Sequence, residues 1–163
     1  MTMNAHSDAH ESEYLSEAVR LACANVGEGG GPFGAVVIRD GLPLATGVNL
    51  VVPHLDPTAH AEVVAIRRAC RAAGTFALRG CTLYSSCEPC PMCLAAAMWA
   101  RVDRVVHCAT REDAAAAGFD DLRWYEELDR PPEQRAMPIV RVPLPASTDP
   151  FRAWLMKHDR QRY

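Results

Sequence analysis

The sequence predicts a three-layer α/β/α domain built on a mixed five-stranded sheet. Short β-branched runs alternate with longer stretches whose apolar residues recur at helical spacing, the pattern of helices packed on both faces of a sheet. The first two runs are joined by Asp40-Gly41, a tight hairpin signal, so one edge of that sheet is antiparallel. With 163 residues, 49% of them hydrophobic, the chain can bury one core without disulfide help. Residues 1–163 therefore read as a single domain.

Residues 1–12 are polar and lack the basic start and apolar run of a secretory signal; they read as a flexible arm. From Ser12 to Val26, residues Leu15, Ala18, Val19, Ala22, Cys23 and Val26 share one helical face, and Gly27 ends the helix. The stretch Gly27 to Gly34 can hold neither helix nor strand and delivers the chain to a first strand, Ala35 to Arg39. Leu44 to Asn49 follows, placed at a sheet edge by Pro43, which cannot donate to an interior ladder. Asp56-Pro57 predicts a helix start with the aspartate as N-cap, and the helix runs to Gly74. A strand at Cys81 to Ser85, a helix at Pro91 to Ala100 and a strand at Val105 to Cys108 come next. Short helices at Asp113 to Ala117 and Asp121 to Leu128, a fifth strand at Ile139 to Val142 and a closing helix at Pro150 to Arg160 complete the chain.

Charge narrows the partners. The net charge is −3, and sixteen arginines and one lysine are scattered. Arg67, Arg68 and Arg71, the nearest approach to a cluster, read as a solvated helix face, which disfavours a nucleic acid. No membrane partner is expected. Seven cysteines, three of them clustered, suit a reducing cytoplasm better than a disulfide framework; Cys23, Cys70, Cys81 and Cys108 fit as small core residues.

The chemistry is carried by two stretches, His60-Ala61-Glu62 and Cys87-Glu88-Pro89-Cys90-Pro91-Met92-Cys93. Thiolates and an imidazole are soft donors that hold zinc tetrahedrally. Cys87, Cys90 and Cys93 give two overlapping C-x-x-C pairs. If all three and His60 bind, the site is closed and structural. If only His60, Cys90 and Cys93 bind, a water takes the fourth position and the site is catalytic. Glu62 favours the open version, because hydrolysis needs a group that takes a proton from water and passes it on. The pair H-x-E and P-C-x-x-C is the signature of zinc-dependent nucleobase deaminases.

These stretches, with Gly30 to Val36, Asp56 to Glu62, Trp99 to Arg101, Ala117 to Asp121 and the ending Pro150 to Tyr163, resemble the cytidine deaminase superfamily, and within it most closely the bacterial guanine deaminases. The resemblance implies Zn2+ held by His60, Cys90 and Cys93, and proton shuttling by Glu62 with Asp121 assisting. It further implies a free nucleobase bound by Phe33, Asn49 and the N–H of Ala61, in a pocket completed by Trp99 and Tyr163. It also implies a homodimer that exchanges residues 145–163. Read without the resemblance, Phe33 and Trp99 fit as core aromatics, Asn49 as a turn former, Asp121 as an N-cap and Tyr163 as a free terminus. Glu88 is either a group supporting the metal loop or an ordinary loop charge. Three rivals stay open: another small ring such as cytosine, ammeline or guanosine; adenosine in tRNA; and a zinc module without catalysis.

Overall fold

The computed structural model describes residues 5–119 and 121–162. By its internal contacts the chain divides into two units, Met1–Glu126 and Glu127–Tyr163. The first holds α1 (Ala5–Gly27), β1 (Gly31–Arg39), β2 (Leu42–Asn49), α2 (Val51–His54), α3 (Ala61–Ala73), β3 (Cys81–Cys87), α4 (Pro91–Trp99), β4 (Arg104–Ala109) and α5 (Arg111–Ala116), and most of α6 (Asp121–Asp129). The strands lie in the order β2-β1-β3-β4. β1 is antiparallel to both neighbours, whereas β3 and β4 are parallel and are joined through α4, as a parallel pair requires a crossover. Pro43 lies on β2, an edge strand, opposite Ile38 where the register slips.

Alternation along β1 sends its side chains to two helical layers. Val36 and Ile38 pack with Tyr84 against Tyr14, Leu15, Ala18 and Leu21 of α1. On the other face Ala35, Val37 and Leu83 meet Ala61, Ala65, Ile66 and Ala69 of α3, with Ala97 of α4. Both helices come unusually close to the sheet. A Cβ added at Gly34 would lie 2.2 Å from the Ala18 carbonyl oxygen, and one at Gly47 would lie 2.2 Å from that of Ala61. The second contact fixes the height of the first turn of α3 above the sheet, and that turn carries His60, Ala61 and Glu62.

The described residues hold four strands, not the expected five. Residues 139–142 form no strand, and Ile139, Val140 and Val142 are exposed. β-branched composition suggested a strand there, but a strand needs a neighbour, and Pro138 and Pro143 bracket the run without an N–H to offer. The start of α1 is earlier than expected, at Ala5, and within the stretch read as an arm the Glu11 carboxylate accepts from Nη1 and Nη2 of Arg104, at 2.5 and 3.3 Å. α3 starts later, at Ala61. The Asp56 carboxylate is taken by the Thr58 N–H and hydroxyl at 2.8 and 2.6 Å, a local turn that competes with capping a helix. α2 had no counterpart in the sequence reading.

The second unit contains a 3-10 turn at Pro132–Gln134 and α7 (Asp149–Met156), which ends earlier than the expected Arg160. None of residues 127–162 is buried, and Phe151, Trp154 and Leu155 are exposed.

The close contact at Gly47 makes a direct prediction. Gly47→Ala lowers unfolding free energy in urea by about 2 kcal/mol, because backbone must move to admit a methyl group. Gly27→Ala, where nothing lies within 4 Å of the added carbon, stays within about 0.5 kcal/mol.

Candidate active site

α3 and α4 start side by side, and the sequence puts a metal donor at each helix cap. His60 is the N-cap of α3 (φ −65°, ψ 156°) and Cys90 the N-cap of α4 (φ −63°, ψ 167°), followed by Pro91, whose missing N–H costs nothing in a first turn. Cys93 lies one turn into α4. His60 Nδ1 is 3.6 Å from Cys90 Sγ and 3.5 Å from Cys93 Sγ, and the two sulfurs are 3.5 Å apart. Bonds of about 2.3 Å to sulfur and about 2.0 Å to nitrogen give a zinc tetrahedron with edges of about 3.8 Å and about 3.5 Å. The three donors are thus spaced as three corners of such a tetrahedron.

Electrostatics points to a cation as well. The neighbouring Cys93 thiol and His60 hold the Cys90 thiol down at about 4, against the opposing effect of burial. Cys93 is pushed far up by its hydrogen bond to Cys90, by burial and by the charge on Glu62. One proton therefore leaves the pair easily, and the second is retained by the negative charge around it. A divalent ion removes that obstacle, and the positive ends of two helices assist it.

Cys87 is not part of this group. It ends β3, its thiol donates to the Thr110 carbonyl at 3.3 Å, and it lines a different, apolar cavity of about 270 Å3 with Val19, Cys23 and Ala114. Only the second C-x-x-C pair faces the histidine, so among the described residues the site has three protein donors and one open corner.

Glu62 borders that corner. It is 6% exposed; Oε1 accepts from the Ser85 hydroxyl at 3.2 Å, and Oε2 from the Cys93 thiol at 3.5 Å. Burial pushes its carboxyl above the usual carboxylate range, which suits a group that must both accept and return a proton. His60, Glu62 and Cys90 line a cavity of about 230 Å3 together with Phe33, Asn49, Val51, Val52, Glu88 and Phe119. Phe33 meets Phe119 edge to face, with centroids 4.9 Å apart. The Asn49 side-chain oxygen accepts from the Val51 N–H at 3.2 Å, so the residue forms a turn and faces the cavity at once.

The remaining candidates divide. Ala61 is the first residue of α3, where an N–H has no partner within the helix. Trp99 ends α4 at 63% exposure under the Arg101 guanidinium and does not line the cavity. Asp121 opens α6, but its side chain lies outside the described residues, as does Tyr163. Sequence reasoning missed Phe119 and Asn25. Asn25 is 2% exposed and its amide spans the carbonyls of Gly31 and Asn49, each at 2.8 Å, tying the glycine loop to the end of β2. A polar residue three positions after Ala22 on an apolar helix face was a usable signal. Phe119 follows Gly118 at φ 91°, a turn that the sequence marks without showing what the ring faces.

Metal analysis separates the cysteines. Cys87→Ala retains one zinc per chain, while Cys90→Ala loses it; zinc retained by the second variant or lost by the first contradicts the ligand set.

Residues 8–109 match the model of the cytidine and deoxycytidylate deaminase zinc-binding region. The chain is 50% identical over 155 residues to guanine deaminase of Bacillus subtilis, covering 94% of this chain and 99% of that one. The solved structure of guanine deaminase from Bacillus subtilis superposes with a TM-score of 0.89 at 48% identity, covering 99% of both chains. NE0047 in complex with 2,6-diaminopurine gives 0.64 at 37% identity over 66% of this chain and 61% of that one. With the family model spanning most of the chain and both histidine and cysteine motifs inside it, this protein belongs to the zinc-binding cytidine and deoxycytidylate deaminase family.

Proposed function

We propose that the protein is a hydrolytic deaminase of a free nucleobase, converting guanine and water to xanthine and ammonia. The observation that carries the reading is the buried Glu62 carboxyl beside a three-donor metal group, at the wall of a cavity that also holds an aromatic pair and an amide. Likeness to guanine deaminase over nearly the whole chain supports guanine as the base. So does the binding of a diaminopurine by a relative.

His60, Cys90 and Cys93 hold the zinc, which when bound supplies the Lewis acidity that makes water a nucleophile near neutral pH. Glu62 takes the proton of that water and delivers it to the ring nitrogen beside the amino-bearing carbon C2. As the water oxygen bonds to C2, Glu62 carries its second proton from that oxygen to the exocyclic nitrogen, with Asp121 assisting, so that the C2–N bond breaks and ammonia leaves. Phe33 stacks on the base, Asn49 pairs with its polar edge and the Ala61 N–H donates to it. Trp99 and Tyr163 complete the pocket in the assembled enzyme.

That assembly is a homodimer in which residues 145–163 are exchanged, each chain forming one functional domain with its partner's ending. A 37-residue second unit with no buried described residue is a poor candidate for folding alone, which supports this reading. The scattered arginines disfavour a nucleic acid as substrate: in the nearest approach to a basic cluster, Arg67 is engaged by Asp56 and Thr58, and Arg68 by the Thr46 carbonyl. Seven cysteines, two of them in the metal group, suit the reducing cytoplasm better than a disulfide framework.

Ammonia release across guanine, guanosine, cytosine, cytidine, adenine and ammeline tests the substrate. Guanine is turned over best; release from cytosine or ammeline but not guanine overturns the assignment. Glu62→Gln keeps zinc and loses turnover by roughly 10³-fold or more, because an amide cannot accept the proton; a variant within a few-fold of the parent removes Glu62 from the chemistry.

A further inference from the structure

We infer that Tyr125 and Arg111 are positioning residues that clamp the metal loop from outside the cavity. The inference rests on the assignment of His60, Cys90 and Cys93 as metal ligands. Two of those donors are helix caps, and each cap depends on the residue before it. On the histidine side, the carbonyl of Ala59 accepts from the backbone N–H of Leu50 at 2.8 Å, so backbone holds backbone. On the cysteine side, residues 88–90 have no regular structure, and Pro89 has no N–H to offer. The carbonyl of Pro89 is held by a side chain instead: the Tyr125 hydroxyl donates to it at 2.5 Å.

The same ring has a second duty. The Arg111 guanidinium lies 4.1 Å from the Tyr125 ring centroid. Arg111 in turn grips Glu88, with Nη2 2.8 Å from Oε1, and Nε and the backbone N–H donating to Oε2 at 3.2 and 3.3 Å. The Glu88 backbone N–H also donates to the Ala109 carbonyl at 2.9 Å, and the hydrogen-bonded and stacked group adds a hold on the Glu88 side chain and on the Pro89 carbonyl, the two residues that precede Cys90. Arg111 itself is set by the start of α5, where Thr110 and Asp113 cap the helix reciprocally. Tyr125 lies one turn after Asp121, so the same contact ties the start of α6 to the loop. Charge-assisted forks and stacking keep their geometry where a single exposed ion pair does not. Groups that support metal ligands in this way typically change metal affinity 10- to 100-fold when removed.

The test uses zinc-loaded protein and the rate of zinc transfer to an excess of chromogenic chelator. Tyr125→Phe keeps the ring on Arg111 and removes only the hydroxyl, and its zinc leaves about 10-fold faster. Tyr125→Leu removes both contacts and loses zinc faster still. Arg111→Lys keeps the charge without the fork and also accelerates release. The melting temperature of metal-free Tyr125→Phe stays at the parent value, which separates positioning from general loosening. Release at the parent rate in both Tyr125→Phe and Arg111→Lys overturns the proposal, as does acceleration that merely follows a lower melting temperature. Because metal release is read without substrate, the two proposals fail separately. No ammonia from guanine with faster zinc loss in Tyr125→Phe refutes only the substrate, and the converse refutes only the clamp.

Discussion

The approach of α3 to β2 at Gly47 is the constraint on which the rest of the site depends. A histidine at a helix cap can face a cysteine from another helix only if both helix starts stand at matching heights above the sheet. The missing side chain at Gly47 lets the backbone of Ala61 settle directly on the strand. Small residues continue the arrangement inward, where Ala65, Ala69 and Ala97 lie fully or almost fully buried between the layers. The short Nδ1 to Sγ distances follow from that packing, because neither cap has slack to reach further.

Charge then decides what the arrangement is for. Two thiols and a carboxyl in a buried space repel one another once ionised, and the described residues around them supply one imidazole and helix ends rather than a lysine or arginine. Such a group is costly unless a cation occupies it. Glu62 differs from Asp56 and Asp113 in this respect. Asp56, half-buried, and Asp113, exposed, are hydrogen-bonded to neighbours that hold them ionised, below the ordinary carboxylate range. Glu62 is buried and held above it, with a serine hydroxyl on one oxygen and a thiol on the other.

Much of this was legible in the sequence. His60, Glu62, Cys90 and Cys93 were readable because donor type and spacing are properties of the chain itself, and two helix starts were expected at the metal. Their meeting was not readable, and the exclusion of Cys87 was readable only through the deaminase signature and the resemblance, not from spacing. Three cysteines at steps of three are equivalent on paper; the strand carries Cys87 away before the helix begins. The Asp56 helix start failed because one carboxylate had two competing uses, a cap and a local turn. The fifth strand failed because β-propensity does not supply a pairing partner. Phe119, Arg111 and Tyr125 act through contacts that form only after folding, and no local pattern announces them, whereas Asn25 was signalled as a polar residue on an apolar helix face.

X-ray absorption at the zinc edge of the purified, metal-loaded protein tests the central claim most directly. Two sulfur donors and a histidine nitrogen support an open centre served by Glu62. Three sulfur donors would bring Cys87 into the shell, close the site and contradict the account.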